Sequence, residues 1–355
     1  MKAPLVSIVI LNLNGIDYTM RCLDSIRKSV FRDYEIIVVD NGSSDKSVAA
    51  LRKRKGIRLI ENSTNLGFAE GNNVGVRVAK GRYVCLLNND TKVDRYWLKE
   101  LVAAAESDKR IAICNPKFFD KYEEKDYHFY GYGTVGLFQA PVFLPQIDRD
   151  TKSYVCSLTA SGSAFFRKEI MGEPFDADYF AYAEDAHLGW RANLMGYKVI
   201  NVPKSVVYHE GGATAKKMKV PKDFFFVLAE RNKMLNMLTM YSGFTLIRLL
   251  PYFLTYPVLA NLYDLKHFSS RLKVFLWVVS NIGRILGKRR LMQRLRRVPD
   301  SRIIRLMSFK IYGETHIRNR LMKLFVGVLN KFFYCYCWLV CLRTVEFQKV
   351  DQINA

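Results

Sequence analysis

Short apolar runs and amphipathic stretches alternate through the first 120 residues. Residues 6–11 (VSIVIL), 35–39 (EIIVV), 57–61, 83–87 (YVCLL) and 111–115 are rich in β-branched or continuously apolar positions, which predicts buried strands. Between them, residues 18–29, 44–55, 71–79 and 94–107 repeat apolar positions at helical spacing. Strand and helix in alternation predict an α/β fold, an open and mostly parallel sheet flanked by helices. Sheets of that kind bind ligands beyond the carboxyl ends of their strands. The pattern loosens over residues 121–157, rich in Tyr and Phe with several Gly and Pro, as in a variable surface region able to shape a second pocket. It then returns with strands at 161–166, 198–202 and 206–209 and a helix at 185–195.

Beyond Pro221 the character changes. Residues 224–241 predict a long amphipathic helix, and residues 244–263 an apolar segment of membrane-spanning length interrupted by Pro251 and Pro257. Another apolar stretch, 272–286, runs into KRRLMQRLRR at 288–297, and a third, 332–342, is too short to cross a bilayer. Apolar helices flanked by Arg and Lys predict interfacial segments, and the prolines and Arg248 favour an in-plane or broken 244–263 over a spanning one. The chain therefore divides into a catalytic-type domain, 1–220, and a helical, basic, membrane-associating region, 221–355.

Charge sharpens that division. The 355 residues carry 55 Lys and Arg against 33 Asp and Glu, a net charge of +22. Residues 221–355 hold 23 of the basic and 7 of the acidic residues, +16, which leaves +6 for the first 220. Such a tail expects a polyanionic partner, and its long aliphatic and aromatic runs suit an anionic membrane surface better than nucleic acid. Half of the residues are hydrophobic, which excludes a disordered or collagenous chain. Seven Cys with no C-x-x-C pair and no zinc-like spacing fit a reducing compartment, and residues 1–4 lack a signal-type n-region. The expected location is the cytoplasmic face of a membrane, held peripherally or monotopically.

Polar residues gather where the strands end: Asn12 and Asn14 after the first, Asp40, Asn41 and Gly42 after the second, Asn88, Asn89 and Asp90 after the fourth. Each cluster alone reads as ordinary turn chemistry, but three on one sheet edge predict a site. An ionised Asp40 can accept the N3–H of a uracil or thymine ring. Asp90 is placed to hold a metal bridging two phosphates, and the small residues and amides of 65–75 (NLGFAEGNNVG) suit close approach of backbone to ligand. Glu184 and Asp185 are either a helix start or a general base, and His209 is either a structural histidine or a metal ligand.

Taken together, VSIVILNLNG, VVDNGSSD, NLGFAEGNNVGVRVAKGRYVCLLNNDT, YFAYAEDAHLGWRANLMGYKV and VVYHEGG resemble the family 2 glycosyltransferases, in particular their rhamnosyltransferase-like branch, over residues 5–235. The resemblance implies a GT-A fold, a Rossmann-like sheet with flanking helices. It also implies inverting transfer of a sugar from a nucleotide-diphosphate donor to a hydroxyl of a lipid-linked or other glycan acceptor, in cell-surface polysaccharide biosynthesis. Carried onto this sequence, it makes Asp185 the catalytic base. Asp40 binds the nucleobase with Asn12 beside it, while Asn65, Gly67, Asn73 and Asn89 line the rest of the nucleotide-sugar site. Asp90 and His209 become ligands of Mg²⁺ or Mn²⁺, and Glu184, His187 and Trp190 the acceptor side.

Two positions depart from the family pattern. Asn88 stands where a D-x-D motif has its first Asp, leaving Asp90 as the one carboxylate on the metal, and His187 stands where an acidic residue is common. Two other classes remain to be separated. A sugar nucleotidyltransferase would release pyrophosphate and carry basic residues in a Gly-rich loop after the first strand, where LNLNGIDYTM has none before Arg21. A basic membrane- or nucleic-acid-binding protein would catalyse nothing.

Overall fold

The computed structural model describes residues 3–120, 134–139, 141–142, 155–210, 220–251, 253–255, 265–310 and 320–348. Its first half alternates as the periodicity predicts, with one short strand, β5, added: β1 (Val6–Asn12), α1 (Ile16–Arg27), β2 (Tyr34–Asp40), α2 (Ser47–Arg52), β3 (Arg58–Glu61), α3 (Gly67–Val78), β4 (Tyr83–Asn88), β5 (Thr91–Val93), α4 (Trp97–Ser107) and β6 (Ile111–Asp120). A two-stranded ladder, β7 (Thr134–Val135) with β8 (Pro141–Val142), precedes β9 (Val155–Cys156), β10 (Phe165–Arg167), α5 (Lys168–Met171), α6 (Glu184–Leu194) and β11 (Lys198–His209). Most of the expected second pocket region, 121–157, lies outside the described residues.

The main sheet runs β3-β2-β1-β4-β10-β6-β11-β5, with β9 on β11. Its β3-β2-β1-β4 half is parallel; beyond β4 it is mixed, because β10 runs against both β4 and β6, and β5 against β11. Register aligns Asn12 with Asp40 and Leu11 with Asn88, so the ends of β1, β2 and β4 share one edge. The two short strands expected at 198–202 and 206–209 are one strand, with its register against β6 shifted between Val202 and Val206, where Pro203 has no N–H for the ladder. That single long strand carries β6 on to Asp120, five residues past its expected end.

Both sheet faces are covered, which is why the strands read as continuous apolar runs. On one face α1 and α4 bury Leu23, Ile26, Trp97 and Leu101 against β1 and β4. On the other, α3 and α6 pack Val76 and Leu188 against Val9, Val39 and Val84. The approach of α3 is close: a Cβ at Gly75 would sit 2.4 Å from Val9 Cγ1.

The C-terminal third is helical, with α7 (Phe224–Met240), α8 (Gly243–Arg248), α9 (Phe268–Ser280), α10 (Ile282–Leu295), α11 (Asp300–Ile304) and α12 (Arg320–Leu339). Asn281 divides the stretch expected at 272–286, so the basic run belongs largely to α10. A third core cluster joins this region to the sheet domain, with Trp190 and Leu194 of α6 packed among Met237, Met240, Tyr241 and Phe333. Among the described residues no helix is long and apolar enough to cross a membrane; of the 244–263 segment, residues 252 and 256–263 lie outside them.

Candidate active site

The edge formed by β1, β2 and β4 is a network of amides around one carboxylate. Asn12 donates from Nδ2 to Asp40 Oδ2 (2.7 Å) and Ser43 Oγ (3.2 Å), and its Oδ1 accepts from Thr19 Oγ1 (2.7 Å). Asp40 Oδ1 accepts from the Ser43 backbone N–H at 2.8 Å. Asp40 is 1% exposed, and each carboxylate oxygen has acceptor capacity beyond the bond it already makes. One strand over, Asn41 donates to Asn65 Oδ1 (2.9 Å) and the Gly67 carbonyl (3.0 Å), and accepts from Asn62 and the Leu66 N–H. Asn65 Oδ1 also accepts the Gly67 N–H at 2.9 Å, which helps α3 begin at Gly67 rather than at Gly71 as its periodicity predicts.

Gly67 is required twice over. Its φ is +79°, and a Cβ there would lie 2.5 Å from the Phe180 ring.

Asp90 and His209 meet where β5 pairs with β11, which aligns His209 with Thr91. Asp90 Oδ1 and His209 Nε2 are 3.1 Å apart, about the separation of two neighbouring ligands on one octahedral cation with bonds of ~2.1 Å. The Asn88 amide, whose O and N exchange by a flip, stands 3.4 Å from the same Nε2. One carboxylate and one imidazole suit a divalent ion that completes its shell with phosphate oxygens and water, and the nitrogen ligand favours Mn²⁺ over Mg²⁺. Among the described residues no group of three or more His, Cys, Asp or Glu could hold a metal.

Glu184 and Asp185 open α6, in the first turn where the helix dipole favours acids. Burial, and for Glu184 the neighbouring Asp185, raises both carboxyls above their usual range. Asp185 Oδ1 accepts from the Ala186 N–H at 2.7 Å. The Asp185 carbonyl accepts from the Ala160 N–H (3.2 Å), and three residues on Ser163 Oγ accepts from the Asn88 N–H (3.3 Å). Residues 160–163, no more than about 11 Å long when extended, thus tie the start of α6 to the end of β4. The arrangement brings a carboxyl with raised proton affinity near a cation-type pair at the edge of a nucleotide-binding type of sheet, as proton removal beside a phosphate site requires.

Five expected contact residues are held inside the protein instead. Asn73 is 1% exposed and spends both ends of its amide on the Phe175 backbone, at 2.8 and 3.2 Å. Trp190 is fully buried, edge-on to Tyr241 at 4.7 Å between ring centroids, so it is a core residue and not an acceptor contact. His187 is buried against the Tyr179 ring, and burial pushes its pKa down to about 3. Asn89 is buried and donates to Thr19 Oγ1 at 3.1 Å, tying β4 to α1. Buried Glu184 keeps one oxygen, Oε2, without a hydrogen-bond partner.

Thr19, Ser43 and Asn41 were not singled out by sequence as site-forming, although Asn41 lies in the Asp40 cluster. Asn232 and Asn236 were missed as well: both donate to backbone carbonyls of the segment leading into Glu184. Their signal was available, two Asn four apart in FFFVLAERNKMLNMLTM.

Residues 7–173 match the family described as glycosyl transferase family 2. The chain is 27% identical over 239 residues to an "Uncharacterized glycosyltransferase" of Haemophilus influenzae, covering 61% of this chain and 73% of that protein. It is 26% identical over 220 residues to the UDP-Glc:alpha-D-GlcNAc-diphosphoundecaprenol beta-1,3-glucosyltransferase WfaP of Escherichia coli, covering 61% of this chain and 82% of WfaP. Among solved structures it resembles GalNAc-T7 crystallised with UDP, GalNAc and Mn2+, with a TM-score of 0.55 and 19% identity over 69% of this chain and 49% of that one, a likeness of fold. The mixed sheet with helices on both faces is of the GT-A type, and the match of residues 7–173 together with these relatives identifies the protein as a glycosyltransferase.

Proposed function

We propose that the protein transfers a sugar, with inversion, from a UDP- or dTDP-sugar to a hydroxyl of a lipid-linked glycan at a membrane surface. The observation that carries this reading is the 3.1 Å approach of Asp90 to His209 at the edge that also gathers Asn12 and Asp40. In this reading Asp40 offers its remaining lone pairs to the N3–H of the base, and the 65–67 turn and Asn12 shape the nucleotide-sugar pocket. Asp90 and His209 hold Mn²⁺ or Mg²⁺, whose contribution when bound is to offset charge on the departing diphosphate.

Asp185 takes the proton of the acceptor hydroxyl as its oxygen bonds to the anomeric carbon. The bond from that carbon to the diphosphate breaks, and nucleoside diphosphate leaves. Glu184 and His187, both buried, belong to the acceptor side in this reading without touching the acceptor.

The acceptor class is supported by the name of WfaP, which acts on a diphosphoundecaprenol-linked sugar, and by the C-terminal helices. Phe244, Ile247, Leu254, Phe275, Leu324 and Leu339 are each more than half exposed, on a region of net charge +16. Apolar side chains among excess Lys and Arg suit peripheral attachment to an anionic bilayer. Residues 1–220 are then the catalytic unit and 221–355 the membrane-associating one, with α7 packed against both.

The test is a panel of UDP- and dTDP-sugars, dTDP-rhamnose included, offered with Mn²⁺ and a polyprenyl-diphosphate-linked sugar. Release of nucleoside diphosphate with a lengthened lipid-linked glycan is expected; no such release across the panel, with formation of nucleoside triphosphate when pyrophosphate is added, would overturn the reading in favour of a nucleotidyltransferase. Co-sedimentation with anionic but not neutral vesicles, lost in 0.5 M salt, is expected of the tail.

A further inference from the structure

The segment entering the Asp185 helix is bent against its own backbone preferences. Phe180, with φ 57° and ψ −63°, forms a γ-turn in which the Ala181 N–H donates to the Tyr179 carbonyl at 2.6 Å, a rare and strained conformation. Tyr182 and Ala183 follow with φ of 70° and 61°. None of the three is glycine, and such backbones persist only where the surroundings over-determine them. Ala183, at the N-cap of α6, has no side-chain cap to help.

The restraint comes from α7, some 50 residues later. Asn232 Nδ2 lies 2.9, 2.9 and 2.8 Å from the carbonyl oxygens of Tyr179, Ala181 and Tyr182. One turn on, Asn236 Nδ2 donates to the Ala183 carbonyl at 3.1 Å, and its Oδ1 accepts from the Tyr179 hydroxyl at 2.6 Å. Both side chains are fully buried. Arg231 fixes which end of Asn232 faces the loop: its guanidinium, a donor only, reaches Asn232 Oδ1 at 2.9 and 3.0 Å, which leaves Nδ2 for the carbonyls. On its other side the loop meets the donor half of the site, for the Phe180 carbonyl accepts from the Ala69 N–H of α3 at 3.0 Å and its ring covers Gly67.

We propose that Asn232 and Asn236 are positioning residues for the catalytic step: by holding the carbonyls of residues 179–183 they impose the turns that aim Asp185, making one face of α7 part of the active-site machinery. This rests on the reading of Asp185 as the base. A buried Asn that merely stabilised the fold would, when removed, lower the amount or melting temperature of folded protein and leave each folded molecule turning over normally. A positioning residue lowers kcat in the molecules that do fold.

The experiment uses the full chain, UDP with Mn²⁺ as the binding probe, and nucleoside diphosphate release from the sugar panel as the rate. Asn232→Ala is expected to lower kcat about 10- to 100-fold, the scale of a small misplacement of a reacting group, with the UDP Kd and donor KM within about twofold to threefold. Added to Asp185→Asn, it is expected to change the residual rate less than about twofold, because a group that acts through Asp185 has nothing left to position. Unchanged kcat in folded Asn232→Ala, or the same fold-loss in both backgrounds, overturns the proposal. If Asn232→Ala does not fold, Asn236→Ala, which gives up one loop carbonyl bond and the bond from the Tyr179 hydroxyl, carries the same two readings. Wild-type turnover in Asp185→Asn alone would instead remove the base reading, an outcome separate from either of these.

Discussion

The donor edge of the sheet and the base loop solve the same problem, fixing polar groups in space, by opposite means. At the donor edge, Asn12, Asp40 and Asn41 are bonded to one another's strands and to the turns that follow them, in positions set by parallel register. In the base loop, three side-chain-bearing residues adopt disfavoured backbone angles and depend on donors from a distant helix. On the proposed reading, nucleotide binding is built into the sheet, while the alignment of the base is imposed from the C-terminal third. The two should be separable by mutation.

The largest separation is expected from Asp185→Asn, which should cut turnover by about 10²- to 10⁴-fold, the usual worth of a general base. Calorimetric titration with UDP and Mn²⁺ should give wild-type affinity. Asp90→Ala attacks the other region: the Mn²⁺ concentration that half-supports UDP binding should rise about 10- to 100-fold, read from the same titration at several metal concentrations. An unchanged metal requirement would take Asp90 out of the ion site.

Gly67→Ala strikes the point where the two regions touch. With a positive φ and a Cβ placed into the Phe180 ring, it should cost about 1–3 kcal/mol in urea unfolding. Part of that loss should return in the Phe180→Ala background, where the ring is gone; full additivity would mean that the contact is not the cause.

The smallest effect at neutral pH belongs to His187, whose burial depresses its pKa to about 3. A histidine that is harder to protonate when folded contributes stability that is present above its unfolded value of about 6.5 and is lost as pH falls toward the folded one, at up to about 1.4 kcal/mol per pH unit. His187→Leu should thus have a flatter stability curve than wild type between pH 6.5 and 5.5, by about 1 kcal/mol in urea titrations. The raised Glu184 and Asp185 carboxyls act in the opposite sense, contributing stability that fades as pH rises above the ordinary carboxylate range, so only the difference between the two curves isolates His187.

What could be read from the chain divides along the same line. The strands and their polar ends were legible because VSIVILN, YEIIVVD and YVCLLN change from buried apolar to amide or acid within one residue. The partnership of Asp90 with His209 was not visible in spacing, since 119 residues separate them and only the β5–β11 pairing closes the gap. It was anticipated through family resemblance, which motif order carries and periodicity does not. Strain in the base loop left no mark, because Phe180, Tyr182 and Ala183 are not the residues that advertise left-handed backbone. Trp190 and Asn73 misled for a related reason: a large ring or an amide near a motif can as well be packed inward, and only the partners it meets there tell which.

The pairing of β11 with β5 and β6 also bears on how the protein is made. Contacts of such long range close late, after most of the local structure has formed. On the ribosome, Asp90 is synthesised more than a hundred residues before its partner, so the Asp90–His209 pair is not assembled until His209 has emerged and docked. Ligand that binds only the closed strand then favours the final docking by mass action, so the substrate itself would act as a folding aid for the last strand of the sheet.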